Sequence, residues 1–166
     1  LAEASAIFKV DPGIESPEYA TSLDDLGSVA QITARYKEAE TLYNEAMNIR
    51  LRILGPEHPD YGNSLYNLAS LYFETGRYVI AERLLTEESE ICKKIYGEEH
   101  PDYASSLNNI ALMNTNLGNY PKAEALFQEA LGLYNKLPEP DDEAYSNTLD
   151  NLASLYHNMG DYAKAE

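Results

Sequence analysis

The stretch NLASLYFETGRYVIAE at residues 67–82 returns in altered form as NIALMNTNLGNYPKAE at 109–124 and as NLASLYHNMGDYAKAE at 151–166. Successive copies begin 42 residues apart. The similarity extends towards the N-terminus, since residues 55–82 and 97–124 are identical at 14 of 28 positions. An internal repeat of this length is typical of an array of stacked units, so each residue has to be interpreted beside its counterparts in the other copies.

Each copy contains two segments of helical periodicity separated by a glycine. Apolar residues before Gly76 recur at helical intervals at Leu65, Leu68, Ala69, Leu71 and Tyr72. A second series follows the glycine at Tyr78, Ala81, Leu84, Leu85, Ile91 and Ile95. Both spacings predict amphipathic helices, and the glycine marks the end of the first one. The sequence therefore predicts an all-α fold built from antiparallel helix hairpins.

The tripeptide His-Pro-Asp occurs at 58–60 and again at 100–102, between the second helix of one hairpin and the first helix of the next. Proline fits the opening turn of a helix, and aspartate is favoured near the positive helix end. The two histidines are two helices apart, at about 8–10 Å for each helix step, so they cannot share one metal ion. We interpret the tripeptide as a helix start.

Patterns that carry enzyme chemistry are absent from the sequence. It contains no glycine-rich phosphate loop, no helical histidine pair with metal-ligand spacing, and no serine or cysteine beside an evident base. We predict that the protein is not an enzyme and has no catalytic, metal-binding or cofactor-binding residue. The single cysteine, Cys92, allows no internal disulfide and is expected to be a small buried apolar residue.

The charge balance restricts the partners. The chain has 12 Lys and Arg against 28 Asp and Glu, a formal net charge of −16. Such a charge repels phosphate backbones and anionic lipid surfaces, so we expect neither nucleic acid nor membrane partners. The apolar runs are too short to span a bilayer, and the initial LAEASAIFKV lacks the regions of a signal peptide. These features favour a cytoplasmic protein.

The stretches at 67–82 and 151–166 resemble tetratricopeptide repeats. Residues in register with the pattern of that family are Leu65, Leu68, Ala69, Tyr72, Ala81 and Leu85 in one hairpin, Leu107, Ile110, Ala111, Ala123 and Phe127 in the next, and Leu23, Leu26, Gly27, Ala39 and Tyr43 in the first. The usual repeat has about 34 residues, and the longer form here is similar to the repeats of kinesin light chains and of multidomain bacterial and archaeal proteins. The resemblance implies an α-solenoid, a right-handed superhelix of hairpins that serves as a protein-binding scaffold.

The repeat phase predicts a single array fragment across residues 1–166. We assign complete repeats to 17–54, 59–96 and 101–138, and a truncated fourth repeat to 143–166. Residues 1–12 align with the end of a preceding second helix. Because both ends fall inside a repeat, we expect the natural protein to continue on each side.

A second, mainly polar stripe runs along each first helix. In tetratricopeptide proteins the first helices line a concave groove that holds an extended peptide or a partner helix, and asparagines there bind the ligand backbone. An amide donates and accepts at once, so Asn67, Asn109 and Asn151 suit that role. Alternatively, some of them only bridge neighbouring helices. The full set of predicted peptide-binding residues is Asn63, Tyr66, Asn67, Phe73, Asn108, Asn109, Asn116, Asn147, Asp150, Asn151, Asp24 and Asp25.

The same stripe favours a neutral or basic ligand. Family members that bind terminal carboxylates or acidic cargo use lysine and arginine on this face, and neither occurs at the stripe positions here, which include the acidic Asp24, Asp25, Glu74 and Asp150. Tyr66 and Phe73 face the groove and are expected to anchor ligand side chains. Two other functions remain open, namely a structural segment that associates end to end and a regulatory sensor module of a larger signalling protein.

Glu88 is the unusual residue of the buried stripe. It occupies the position of Ala46 and Ala130 in the adjacent repeats, where a small residue lets helices approach. We expect its long side chain to bend out to solvent. The alternative is that Glu88 is a device for specificity.

Overall fold

The computed structural model describes residues 16–137 and 142–165. The chain divides into an N-terminal unit of residues 1–84 and a C-terminal unit of residues 85–166. The helices of the N-terminal unit are α1 (Pro17–Ile32), α2 (Tyr36–Leu54), α3 (Pro59–Glu74) and the first turns of α4 (Tyr78–Tyr96). The C-terminal unit contains the rest of α4, then α5 (Pro101–Asn116), α6 (Tyr120–Tyr134), α7 (Asp142–Met159) and the short α8 (Tyr162–Ala165).

Consecutive helices pack against each other within each unit. In the N-terminal unit α1 packs on α2, and α2 packs on α3. In the C-terminal unit α5 packs on α6, and α6 packs on α7. The predicted all-α fold of helix hairpins is confirmed. Residues 1–12, predicted to end a preceding second helix, lie outside the described residues.

Histidine side chains cap two of the first helices. Nδ1 of His58 accepts a hydrogen bond from the backbone N–H of Asp60 at 3.1 Å, and Nδ1 of His100 accepts one from Asp102 at 3.2 Å. In each tripeptide the proline follows the histidine and occupies the first turn of the helix, Pro59 in α3 and Pro101 in α5. An N-cap that accepts from a backbone N–H satisfies a donor that the helix itself leaves unpaired. The interpretation of His-Pro-Asp as a helix start is confirmed, and the histidine itself is the capping group.

Glycine closes the turn between the two helices of a hairpin. Gly76 has a φ of 73° and Gly118 a φ of 76°, in the left-handed region that glycine adopts without a steric penalty. The equivalent position in the first hairpin is Ala34, with a φ of 58°. A Cβ in this region is disfavoured, so this turn is more strained than the other two.

Each unit has its own apolar core on the predicted stripes. One cluster of the N-terminal unit consists of Tyr19, Ala20, Leu23, Ala46 and Ile49. The clusters of the C-terminal unit consist of Ala111, Ala123, Phe127, Leu131, Leu152, Leu155 and Tyr156, and of Tyr103, Ala104, Leu107, Ala130 and Tyr134. Ala46 and Ala130 have no exposed surface, which agrees with close approach of the helices at these positions.

Gly27 is buried beneath the ring of Tyr43. A Cβ atom added at Gly27 would lie only 2.6 Å from Tyr43 Cε1. The Tyr43 hydroxyl donates to Oε1 of Gln31 at 3.0 Å, which holds the ring in place. We expect Gly27→Ala to lower the free energy of unfolding by about 1–2 kcal/mol, although alanine is the better helix former. Urea unfolding measures this change.

The counterpart of Tyr43 in the next repeat, Leu85, supplies the control. Leucine lacks the ring that crosses Gly27, so we expect the double variant Gly27→Ala with Tyr43→Leu to be more stable than the sum of its single variants predicts. Strictly additive effects contradict a steric conflict between the two positions.

Candidate functional site

The polar stripes of the first helices form one face in each unit. The C-unit face comprises the stripe positions of α5 and α7, which are Ser105, Asn108, Asn109, Leu112, Thr115, Asn116, Asn147, Asp150, Asn151, Ser154, His157 and Asn158. The N-unit face comprises those of α1 and α3, which are Thr21, Asp24, Asp25, Ser28, Gln31, Ile32, Asn63, Tyr66, Asn67, Ser70, Phe73 and Glu74. The helices of each pair are in contact, α5 with α7 and α1 with α3.

Two asparagines of the C-unit face join its helices. Nδ2 of Asn151 on α7 donates to Oδ1 of Asn108 on α5 at 3.1 Å. Asn151 therefore bridges neighbouring helices, as the alternative interpretation of these asparagines states. The bond engages one N–H of Asn151 and its partner's carbonyl oxygen. An amide has a further N–H and a second acceptor position, so both residues retain polar capacity.

Asn109 differs from the bridging pair. Its side chain is half-buried, and it has no side-chain hydrogen bond among the residues that the structure describes. An amide that is partly withdrawn from water gains from any polar group that approaches it, because unmade hydrogen bonds of a desolvated group are costly. Asn109 is thus the asparagine of this face best placed to bind something else.

The remaining predicted residues of the C-unit face are exposed. Asn147 and Asp150 on α7 and Asn116 at the end of α5 all lie at the surface. The amide of Asn116 donates to the carbonyl oxygen of Leu112 in its own helix at 2.8 Å. The structure thus joins Asn108 and Asn151 at the contact between α5 and α7, while Asn109, next to Asn108 on α5, takes no part in that bond.

In the N-unit face an ion pair replaces the asparagine bridge. Arg50 reaches from α2, where its Nη1 donates to Oδ2 of Asp24 and to the Ser64 hydroxyl, the latter at 2.7 Å. Nη2 of Arg50 also donates to the Thr21 hydroxyl at 3.3 Å. Burial raises the pKa of Asp24, and the attraction of Arg50 opposes this rise. The charge of Asp24, predicted to attract a ligand, is therefore paired inside the protein.

Asn67 lies beside the same pair. Its side chain approaches the Asp24 carboxylate closely enough to lower the pKa of that group. No regular hydrogen bond forms with Asp24 Oδ1, which is buried without a hydrogen-bond partner among the described residues, as is Arg50 Nε. Asn67 and Asp24 are separated in sequence as Asn151 and Asn108 are, so the asparagine of one repeat contacts the preceding first helix in both units.

Aromatic side chains add apolar surface to the N-unit face. Tyr66 is 47% exposed. Phe73 is half-buried, with its ring centroid 5.5 Å from that of Tyr78. Asn63 and Asp25 are exposed on the same helices. Tyr66 is thus available to a ligand, whereas Phe73 is partly engaged in packing against the start of α4.

Ile32 is a residue of the N-unit face that the sequence analysis missed. It is 82% exposed, although isoleucine is a strongly apolar side chain. The repeat itself contained the signal, because Ile32 is the counterpart of Glu74 and Asn116, which belong to the polar stripes.

The expectation that Glu88 bends out to solvent is wrong. Its carboxylate accepts hydrogen bonds from the Ser106 hydroxyl on α5 at 2.7 Å and from the Cys92 thiol at 3.0 Å. Burial raises the pKa of Glu88, partly opposed by these two bonds. Burial and the neighbouring Glu88 raise the pKa of Cys92 to about 12, so the thiol is protonated at neutral pH. The half-buried Cys92 is a hydrogen-bond donor as well as a packing residue.

Glu88 and Arg50 share a signal that the sequence analysis did not use. Both face a buried hydroxyl at the same repeat position, Ser106 for Glu88 and Ser64 for Arg50. The third counterpart is Thr148, which is 1% exposed. A buried hydroxyl conserved in register across the repeats of this chain indicates that the facing helix can supply a polar partner.

A depression of about 520 Å³ lies along α2 in the N-terminal unit. Its lining includes Lys37, Glu40, Asn44, Glu45 and Arg52. Glu40 accepts hydrogen bonds from Tyr72 and Arg77, and Glu45 accepts one from Tyr19. The carboxylates of this depression are therefore engaged within the protein, and none of the predicted site residues lines it.

The described residues also bear on metal binding and on membrane insertion. No group of three or more His, Cys, Asp or Glu side chains suited to a metal ion occurs in residues 16–137 and 142–165. None of the helices described there combines the length and the apolar character needed to cross a membrane.

A family model agrees with the fold and with the repeat. The tetratricopeptide repeat model matches residues 1–51, 18–94, 65–115 and 102–166, which together span the chain. The chain belongs to the tetratricopeptide repeat family. Repeats of this family generally mediate protein–protein interaction and scaffolding, and are typically not enzymes.

Solved structures of kinesin light chain-like proteins share the fold. BtubC (BKLC) from P. vanneervenii is 22% identical with a TM-score of 0.85, over 99% of this chain and 65% of that structure. A kinesin light chain-like protein from Podosopora anserina with nearly identical TPR-like repeats is 24% identical with a TM-score of 0.84, over 99% of this chain and 78% of that one. The chain thus spans about two thirds of BtubC. No curated protein sequence matches it.

Proposed function

We propose that this tetratricopeptide protein is a scaffold that holds a neutral or basic segment of a partner protein, extended or helical, on its first-helix faces. The observation that carries the proposal is the half-buried Asn109 amide, which has no side-chain hydrogen bond among the described residues and lies beside the Asn151–Asn108 bridge. A partner backbone offers both N–H and C=O groups, which amides satisfy without selecting a side chain.

Charge supports a neutral or basic partner. Neither face contains a lysine or arginine at its stripe positions, and Asp25, Glu74 and Asp150 are exposed on them. The Arg50 guanidinium that reaches the N-unit face is paired with Asp24. An acidic segment therefore meets repulsion with no exposed cation on either face to offset it, and the formal charge of −16 adds to this repulsion.

We expect Asn109→Ala to weaken binding of a selected peptide by about tenfold or more while leaving thermal unfolding nearly unchanged. The reason is that Asn109 loses a ligand hydrogen bond but no bond within the described chain. A peptide-display selection on the wild-type protein supplies the ligand, and fluorescence anisotropy measures its dissociation constant.

Asn135→Ala is the matched control, since Asn135 is an exposed asparagine at the end of α6 and outside both faces. It should leave both binding and unfolding unchanged. If the selected peptides bind both variants as tightly as they bind the wild-type protein, the ligand binds at a site that does not include Asn109. A selection that enriches nothing, together with a solution mass that rises with concentration, contradicts the proposal in favour of end-to-end self-association. A cytoplasmic location remains a prediction of the sequence.

A further inference from the structure

The two faces differ in apolar exposure. On the N-unit face Ile32 is 82% and Tyr66 47% exposed. The stripe positions of the C-unit face include no large apolar side chain with comparable exposure, since Leu112 is partly buried against the core of that unit. The C-unit face is therefore suited to a ligand backbone, whereas the N-unit face also offers surface to apolar ligand side chains.

Ile32 is exposed because of its position in the repeat. Its counterparts Glu74 and Asn116 are exposed as well, in two different units of the chain. The position therefore faces solvent in other hairpins of the array, where polar residues occupy it. An isoleucine at a surface position leaves apolar area in water that a partner can cover.

Contacts between α1 and α3 fix which residues lie side by side on the N-unit face. Nε2 of Gln31 donates to the Ser70 hydroxyl at 3.4 Å, and Asn67 lies beside Asp24. These two contacts join residues 39 and 43 positions apart, so Ile32 is level with the last turn of α3, which ends at Glu74. Tyr66, next to Asn67, is level with the part of α1 that holds Asp25. Each apolar side chain thus has a carboxylate on the neighbouring helix.

These two carboxylates differ from Asp24. Asp24 is paired with Arg50, whereas Asp25 and Glu74 are exposed and form no ion pair or side-chain hydrogen bond among the described residues. Their charges are available to a cation. An apolar side chain beside an unpaired carboxylate is complementary to a ligand that offers an apolar residue beside a basic one.

We propose that the N-unit face recognises side chains of the ligand. Ile32 and Tyr66 contact apolar residues of a partner segment, and Glu74 and Asp25 each bind a lysine or arginine next to one of those apolar residues. This proposal rests on the function proposed above and specifies the chemistry of the partner. The occupant is an apolar and basic segment of another protein.

Helix geometry sets the spacing of the two anchors. Tyr66 precedes Glu74, the residue level with Ile32, by eight positions. At about 1.5 Å per residue the two anchors are about 12 Å apart along the helices. Because the two anchors stand on neighbouring helices about 8–10 Å apart, the direct distance between them is about 15 Å, which an extended segment covers in about 4–5 residues at about 3.3–3.6 Å each. The matching ligand has two apolar residues at that separation, each followed by a basic one.

Three synthetic peptides of one length test this chemistry. The first contains two Leu-Lys pairs at that separation in a Gly/Ser background, the second replaces both leucines by serine, and the third replaces both lysines by glutamate. We expect the wild-type protein to bind the first peptide about tenfold more tightly than either of the others, measured by fluorescence anisotropy.

Variants of the full chain assign the preference to residues. Ile32→Ser and Tyr66→Ser should each weaken binding of the Leu-Lys peptide about tenfold, because each removes an apolar anchor. Asp25→Asn with Glu74→Gln should abolish the preference for lysine over glutamate. Val79→Ser is the matched control, since Val79 is 69% exposed on α4 in the same unit and lies off the face. Circular dichroism verifies that each variant remains folded.

The outcomes separate this proposal from the general one. If all three peptides bind equally and Asn109→Ala weakens their binding, recognition of side chains by the N-unit face is overturned while the scaffold function stands. The proposal is also overturned if Val79→Ser weakens binding of the Leu-Lys peptide as much as Ile32→Ser does. Failure of every peptide, including those from the display selection, overturns both proposals.

Discussion

Replacing Arg50 by methionine is expected to lower the free energy of unfolding by about 3–5 kcal/mol, because it removes one partner of a buried ion pair. The side chains of Arg50 and Asp24 are only 6% and 13% exposed. Methionine occupies similar volume but donates nothing, so the Asp24 carboxylate and the Ser64 hydroxyl both lose a donor. Urea unfolding followed by circular dichroism measures the change.

The pH dependence of this variant has a defined sign. Burial already raises the pKa of Asp24, and Arg50 opposes the rise, so Arg50→Met should raise the pKa further. A carboxyl whose folded pKa is raised stabilises the fold most below its unfolded pKa of about 3.9, and this contribution is lost as the pH rises through the folded pKa. Arg50→Met should therefore be most destabilising at neutral pH and less so in acid.

Two further variants separate the buried pair from a general effect of losing arginine. Asp24→Asn in the Arg50→Met background removes the uncompensated charge and should recover most of the stability. Arg35→Met deletes the ion pair between Arg35 and Glu38, in which the two side chains are 51% and 52% exposed. This variant should change the free energy of unfolding by less than about 1 kcal/mol. If Arg50→Met costs no more than Arg35→Met, the pair is not a source of stability.

Repeat phase and punctuation were sufficient to predict the helices. Tyr78 was predicted to begin a second helix after Gly76, and α4 begins there. Pro59 and Pro101 were predicted in opening turns, and α3 and α5 begin at these residues. Such boundaries depend on local backbone chemistry, namely a left-handed glycine and a proline with a preset φ. Residues close in the sequence therefore determine them.

Side-chain partners were harder to predict, because they depend on what the facing helix offers. The helical stripe placed Glu88 correctly on the packed side of α4, but the assumption that a carboxylate leaves such a place ignored the hydroxyl of Ser106 on α5. The same spacing identified Asn108, Asn109 and Asn151 as surface amides without distinguishing the bridging Asn151 from Asn109. Periodicity gives the direction of a side chain, whereas its partner comes from another element of the fold.

Glu88→Gln is expected to stabilise the protein at neutral pH by about 1–2 kcal/mol, since glutamine has the shape of the protonated carboxyl and no charge to desolvate. The groups that affect the pKa of Glu88 are few. Burial raises it, hydrogen bonds from Cys92 and from Ser106 on α5 lower it, and the charge of Asp102 on α5 raises it further. No cation among the described residues compensates the buried carboxylate.

The sign of the pH dependence follows from this raised pKa. The contribution of Glu88 is fully present below its unfolded pKa of about 4.3 and is lost as the pH rises through the folded pKa. The difference in unfolding free energy between Glu88→Gln and the wild-type protein should therefore grow from acid to neutral pH. Glu90→Gln removes the same charge from an exposed position of the same helix and should show no such growth. Parallel pH profiles for the two variants contradict a buried, uncompensated carboxylate at Glu88, because the growth is expected only where burial raises the pKa of the carboxyl.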